Sequence, residues 1–311
     1  MIICAGESLI DMVSFAGENG EVQYSPHVGG SILNSAIALG RLGADAYYCG
    51  AVSNDTFGGL IEDCLRDSKV QKDFIIKTNR HTTLAYADVT NDVAKYTFVD
   101  EHSAGRLIDE DSLKPFVNKI KNAKALLVGG ISLQAEPCGT SWQWLVEQVA
   151  GHCVIYFDAN IRPDFIEDKD KYLERFERLT RKVDIIKISE EDYSYLYGEQ
   201  DFSKVSSGWL EKGIKMIVLT LGEKGAKVIF DGGKEISVGI EPVKVIDTIA
   251  AGDSFNAGLL FDLDKQKMLD QEKLASIDTS TLKKALTFAN QIASFTVTQK
   301  GANPPWIDEL K

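Results

Sequence analysis

Four apolar runs, KALLVG at 124–129, CVIYF at 153–157, VDIIKI at 183–188 and KMIVLTL at 215–221, lack the polar–apolar alternation of a half-exposed strand. A strand that is apolar on both sides has to be covered on both, which selects a parallel sheet sandwiched between helix layers. Each run is followed by a polar turn and then a stretch of helical character, and 2–4 and 46–52 read in the same way. The expected fold is therefore one doubly wound, mainly parallel α/β/α domain spanning 1–311. A different pattern holds between Asp73 and Asp100, where FIIKT, TTLAYADVT and AKYTFVD alternate. These read as antiparallel strands with one wet face, a small β-lid to which part of 11–28 also contributes.

Composition excludes several classes of function. A net charge of −12 over 311 residues argues against nucleic acid or an anionic membrane as the main partner. The start, MIICAGESLIDM, enters an apolar strand without a basic region, and nowhere do about 18 apolar residues run together. A cytoplasmic protein is the expectation. The five cysteines are scattered and the four histidines unclustered, so neither a disulfide framework nor a zinc site is indicated.

Chemistry concentrates in VKVIDTIAAGDSFNAGLL, 243–260. Val243 and Val245 alternate as in a strand, while Phe255, Leu259 and Leu260 recur at helical spacing. Ala250, Ala251 and Gly252 at the turn leave the amides at the helix start unobstructed, a site suited to an anion such as phosphate. Asp253 can serve there in two ways, as the helix cap or as a general base toward a bound hydroxyl.

DTIAAGDSFNAG closely resembles the C-terminal signature of the ribokinase-like sugar kinases, D-T-x-G-A-G-D, with Ala250 in place of its first glycine. GESLIDM and GGSILN are similar to that family's N-terminal motifs, and the likeness runs over nearly the whole chain. It implies a ribokinase-like three-layer α/β/α fold with a β-lid and transfer of the γ-phosphoryl of ATP to a sugar's primary hydroxyl. Asp253 would be the base, and the amides of Ala250, Ala251, Gly252 and Asp253 the anion hole. Ala250 is expected to keep its amide available through a negative φ. Asp11, Gly29, Gly30 and Asn34 would bind the sugar, together with Arg106 and Arg162. The Arg162 guanidinium, in DANIRP, suits either sugar or phosphoryl.

The same resemblance implies a nucleotide side formed by Ser189, Thr220, Gly222, Gly225 and Asn290. Ser189 and Asp192 stand where the family has N-x-x-E, so Asp192 is expected to hold magnesium through water, with Glu190 and Glu191 as substitutes. Asp247, the Ile249 carbonyl and Gly301 correspond to a monovalent-cation site, with potassium the expected ion. Pro305 removes one ligand often found beside it. The expected acceptor is D-fructose, giving D-fructose 6-phosphate, with ribose and 2-keto-3-deoxygluconate as rivals. A sugar-binding regulator without catalysis is the alternative from another class. The lid's outer apolar residues, among them Ile75, Tyr86 and Phe98, are expected to join a homodimer.

Overall fold

The computed structural model describes residues 1–90 and 93–310, with side chains at all of these except 88–90 and 93–96. Its strands, in chain order, are β1 (Ile2–Ala5), β2 (Leu9–Ala16), β3 (Val22–Gly29), β4 (Ala46–Ser53), β5 (Gln71–Thr78), β6 (Thr83–Thr90), β7 (Val93–Val99), β8 (Ala125–Gly129), β9 (Val154–Asp158), β10 (Ile185–Ser189), β11 (Met216–Thr220), β12 (Ala226–Phe230) and β13 (Lys234–Val238).

Nine of them form one sheet in the order β13-β12-β11-β10-β9-β8-β1-β4-β5. Pairing is parallel from β11 through to β5, and β12 and β13 add antiparallel strands at one edge. The four apolar runs are its central strands. β8 and β9 are buried along their whole length, and β10 and β11 up to their last residue, because helices cover both faces. One apolar core lies under helices Ser31–Arg41, Ala251–Lys265 and Thr279–Thr296. The other lies under Cys138–Val149, Lys169–Leu179 and Phe202–Glu211. The expected three-layer fold is what the chain adopts. Strand order reverses between β1 and β8, which opens a crevice beyond their carboxyl ends, the place where ligands enter such sheets.

β3-β2-β6-β7 form a second, separate sheet of four strands. Two sequence expectations change here. FIIKT belongs to β5, the edge strand of the large sheet, where Phe74 to Thr78 pair parallel with Cys49 to Ser53. An edge strand has a neighbour on one side only, so its alternation imitates that of a half-exposed sheet. Within the span 73–100 expected for the lid, residues 91 and 92 lie outside the described residues. The second change concerns Val243 and Val245, which sit in an extended, exposed segment and not in a strand. There the amides of Ile246 and Asp247 donate to the Val297 carbonyl at the end of a helix, so no strand ladder takes them up.

Candidate active site

The turn after that segment departs from the expected anion hole in two places, the Ala251 amide, which donates to the Thr248 carbonyl at 3.3 Å, and the backbone of Ala250. Ala250 precedes helix Ala251–Lys265 with φ 61° and ψ 12°, so the expected negative φ is replaced by a left-handed residue. That conformation costs an L-residue about 1–2 kcal/mol. No side chain caps this helix end. Asp253 is inside the helix and 8% exposed, and its carboxylate turns to a neighbouring helix: Asn34 Nδ2 donates to its Oδ2 at 2.9 Å. The choice between cap and base thereby goes against the cap. Burial pushes Asp253 up to about 7; the Asn34 hydrogen bond and the charges of Lys187 and Arg162 pull it down, and Asp158 pushes it up.

Asn34 is carried one turn into helix Ser31–Arg41, whose start is held from outside. Glu7, just beyond β1, accepts from the Ser31 amide at 3.1 Å and the Ser31 hydroxyl at 2.6 Å, and its other oxygen accepts from the Ser132 hydroxyl after β8. Glu7 thus bridges the crevice where strand order reverses. The sequence reading gave it no role, since a carboxylate in a turn looks like any solvated one. The other amide atom of Asn34, Oδ1, is buried without a hydrogen-bond partner.

Asp11 lies on β2 opposite His27 of β3. Burial raises its pKa to about 6, against the pull of Arg162. Gly29 leaves room for the Asp11 carboxylate, since a Cβ there would stand 2.2 Å from Asp11 Oδ2 and displace it. Gly30 turns the chain into the helix at φ 105°, pressed against the backbone of Glu7 and Ser8. Arg162 is exposed, and its charge acts on both Asp11 and Asp253, so the expected sugar ligand and the expected base share one cation.

Behind the turn lies a buried network that the sequence did not reveal. Lys187, on β10, donates to Asp158 Oδ1 at 2.7 Å. Asn256 Nδ2 donates to the other oxygen of Asp158 at 2.6 Å, and the Tyr156 hydroxyl donates to Asn256 Oδ1 at 2.9 Å. A lysine within a strand reads as a half-exposed position, which concealed it. The one usable signal was its place inside an otherwise unbroken apolar run.

Other expected residues are drawn into the frame. Ser189 and Asp192 form a reciprocal cap at helix Glu190–Tyr197, and Asp192 also accepts from the Ile161 amide. Burial raises the Asp192 pKa, opposed by Lys187 and that amide. Arg106 donates to Asp100, to the Glu136 carbonyl and to Glu167, so its fork is committed to protein groups. Thr220 ends β11, and Gly222 and Gly225 flank the tight turn into β12. Asn290 ties helix Thr279–Thr296 to the Val238 and Gly239 carbonyls at the end of β13. Asp247 accepts from the amides of Ile249, at 3.0 Å, and Gly301, at 2.9 Å, which brings the three expected cation-site residues together. Among the described residues no three acidic, cysteine or histidine side chains gather as a metal cage, and no helix is long and apolar enough to cross a membrane.

Comparison with known proteins gives a consistent result. Residues 1–309 match the model of the pfkB family carbohydrate kinases. A fructokinase of Rhizobium leguminosarum bv. trifolii is 37% identical over 91% of this chain and 86% of its own. Among solved structures, the ATP-bound fructokinase of Xylella fastidiosa superposes with a TM-score of 0.89 over 99% of this chain and 97% of that one. At 22% identity that likeness bears on the fold alone. A fructokinase double mutant of Vibrio cholerae, in a form with fructose, ADP and potassium ion bound, is 26% identical with a TM-score of 0.83, covering 97% of this chain and 93% of that one.

Proposed function

The chain belongs to the pfkB family of carbohydrate kinases, and from that premise we propose that it phosphorylates D-fructose with ATP, giving D-fructose 6-phosphate. The observation that carries the reading is Asp253: a buried carboxylate with its pKa raised to about 7, at an uncapped helix start. A general base works best when its pKa lies near the working pH.

In the proposed reaction the sugar is held by Asp11 and by Asn34, whose buried Oδ1 is an acceptor for a hydroxyl. Arg162 balances the two carboxylates. Asp253 takes the proton of the primary hydroxyl as its oxygen bonds to the γ-phosphorus. The bond from that phosphorus to the bridging oxygen breaks, and its electron pair leaves with ADP. The amides of Gly252 and Asp253 at the helix start face the charge that collects on the phosphoryl group. ATP would lie against the turn at Gly222–Gly225, with Asn290 keeping the neighbouring backbone in place.

A divalent ion would arrive on the phosphates, as magnesium commonly does. Asp192, with each oxygen accepting only one backbone amide, keeps lone pairs for that ion's water. Bound there, magnesium would neutralise phosphate charge. Asp247 and the carbonyl of Ile249 are oxygen donors of the kind potassium takes, and they stand beside Gly301.

The four-stranded sheet is proposed as the lid and as the joint of a cytoplasmic homodimer. Among the described side chains, its large exposed apolar residues are Phe15, Val22, Tyr24 and Val99. Of the residues expected from sequence, Ile75 lies instead on β5 of the large sheet and packs on the main core, while Tyr86 meets Tyr24 and Phe98 meets Phe165 edge to face.

ADP release measured over fructose, ribose, 2-keto-3-deoxygluconate and nucleosides tests the reading. Fructose giving the highest kcat/KM supports it. Turnover confined to another of these sugars replaces the substrate, and no turnover with any of them favours the regulator.

A further inference from the structure

Lys187 is 4% exposed, and Asp158, the side chain it bridges, is 1% exposed. Burying such a pair is seldom a net gain in stability, so its presence asks for another reason. An ammonium has three donors, and the hydrogen bond to Asp158 Oδ1 uses one of them. Its position is informative. A Cβ built on Gly252 would stand 3.3 Å from Lys187 Nζ, which puts the amine directly beneath the turn whose amides face the phosphoryl group. Three carboxylates crowd this corner, and the other cation that acts on Asp253, Arg162, is exposed where Lys187 is buried. Asp253 feels the charges of both Asp158 and Lys187, and so does Asp192. A phosphoryl group entering beside three carboxylates would be repelled unless a cation met it.

We propose that Lys187 is a further phosphate-contacting residue, whose ammonium, held beneath Gly252, donates to the phosphoryl group in transfer. Asp158 is then its positioning residue, steadied in turn by Asn256 and Tyr156. Asn256 lies on the same helix as Gly252 and Asp253, so one rigid element carries the anion turn, the base and the tether of the cation. Lys187 would do by point charge what the lysine of a P-loop does, in a chain whose sequence has no such loop. The inference rests on the phosphoryl-transfer reading above.

The test removes both charges of the pair, Lys187→Met together with Asp158→Asn, so that no unpaired charge stays buried. Calorimetry with magnesium and either ATP or ADP, without sugar, is read beside turnover on fructose. The expected result is about a tenfold or greater loss of ATP affinity, from a lost charged hydrogen bond, with ADP affinity within about threefold. Turnover is expected to fall by about 10² or more, as when an oxyanion donor is removed, with fructose affinity retained. An unchanged preference between ATP and ADP with turnover within about threefold of wild type would overturn the proposal. So would recovery of activity in the paired variant from a defective Lys187→Met single variant, the sign of a merely structural bridge. The nucleotide arm decides the role of Lys187 whichever sugar is the acceptor, so failure on fructose alone falls on the substrate reading. In the unaltered protein, nitrogen NMR of the Lys187 side chain provides a check independent of any variant. Its signal is expected to move with a non-hydrolysable ATP analogue and not with ADP, and equal response to both overturns the proposal.

Discussion

The two sheets meet water in opposite ways. The central strands of the nine-stranded sheet are sealed on both faces, and polar groups gather where those strands end, each fastened to another: Lys187 to Asp158, Asn34 to Asp253, Glu7 to Ser31 and Ser132. In the four-stranded sheet Phe15, Val22, Tyr24 and Val99 are exposed. The first sheet is complete within one chain, and its charges can be held in costly, pre-organised positions. The second leaves apolar side chains exposed, the kind of surface that marks interaction sites. On the proposed reading chemistry belongs to the first and assembly to the second, and substitutions in one should leave the other's property alone.

The largest expected effect is at the sealed end. Asp253→Asn is expected to lower turnover by about 10² or more, the range for a lost general base, while assembly is unchanged. It should also stabilise the protein at pH 8. The folded-state pKa of Asp253, about 7, lies above the ordinary aspartate value of 3.8. The native state therefore binds more protons than the unfolded one between those values, and stability falls as pH rises through that window. The penalty above pH 7 is on the order of 4 kcal/mol at about 1.4 kcal/mol per unit, and the neutral amide does not incur it. Melting curves of both proteins at pH 4 and pH 8 check this, with the gap opening only at the higher pH. Turnover within a few-fold of wild type would place the base elsewhere.

Asp11 stands on the open sheet yet faces the site, so it sharpens the boundary between the two regions. Asp11→Ala is expected to cost about 1.5–3 kcal/mol of sugar binding, the range for a charged acceptor, and to leave ATP binding nearly intact. Calorimetry with fructose decides it, and unchanged affinity removes Asp11 from the sugar site.

On the open face, Phe15→Lys with Tyr24→Lys is expected to turn a homodimer into a monomer. Light scattering at micromolar concentration reads the change. Sugar affinity falls only so far as the partner's sheet helps to close the site. A wild-type monomer would break the comparison, and a variant that remains dimeric would move the interface. The smallest effect is expected at Ala250→Gly. Relief of the left-handed alanine is partly cancelled by the greater freedom of glycine when unfolded, so a gain of about 1 kcal/mol or less is expected, with activity kept. Chemical denaturation measures it.

Much of the fold was legible because burial on both faces leaves an unmistakable mark: the runs that became β8, β9, β10 and β11 could be little else. Where one face is open the mark is ambiguous. The edge strand β5 imitated a lid strand, and the alternation at Val243 and Val245 described extended chain without saying whether a neighbour would pair with it. For the candidate site, resemblance to motifs named Asp253, Asp11 and Asn34, and the structure brings two of them, Asn34 and Asp253, into hydrogen-bond contact. Lys187 and Glu7 were not, because each matters through a partner distant in sequence, 29 positions away for Asp158 and 125 for Ser132. The left-handed backbone at Ala250 was hidden because an alanine disfavours that conformation, so nothing in its residue type announces it.

The pH dependence of kcat/KM for fructose tests most directly whether a buried, pKa-raised Asp253 is the base, because that parameter reports groups of the free enzyme. With Asp253 at about 7 and Asp11 at about 6, the rate should rise with pH through both values and level off above them. Its logarithm should climb with a slope near one between them, steepening toward two below the lower one. A profile flat from about pH 5.5 upward, the behaviour of an ordinary exposed carboxylate, would contradict the assignment.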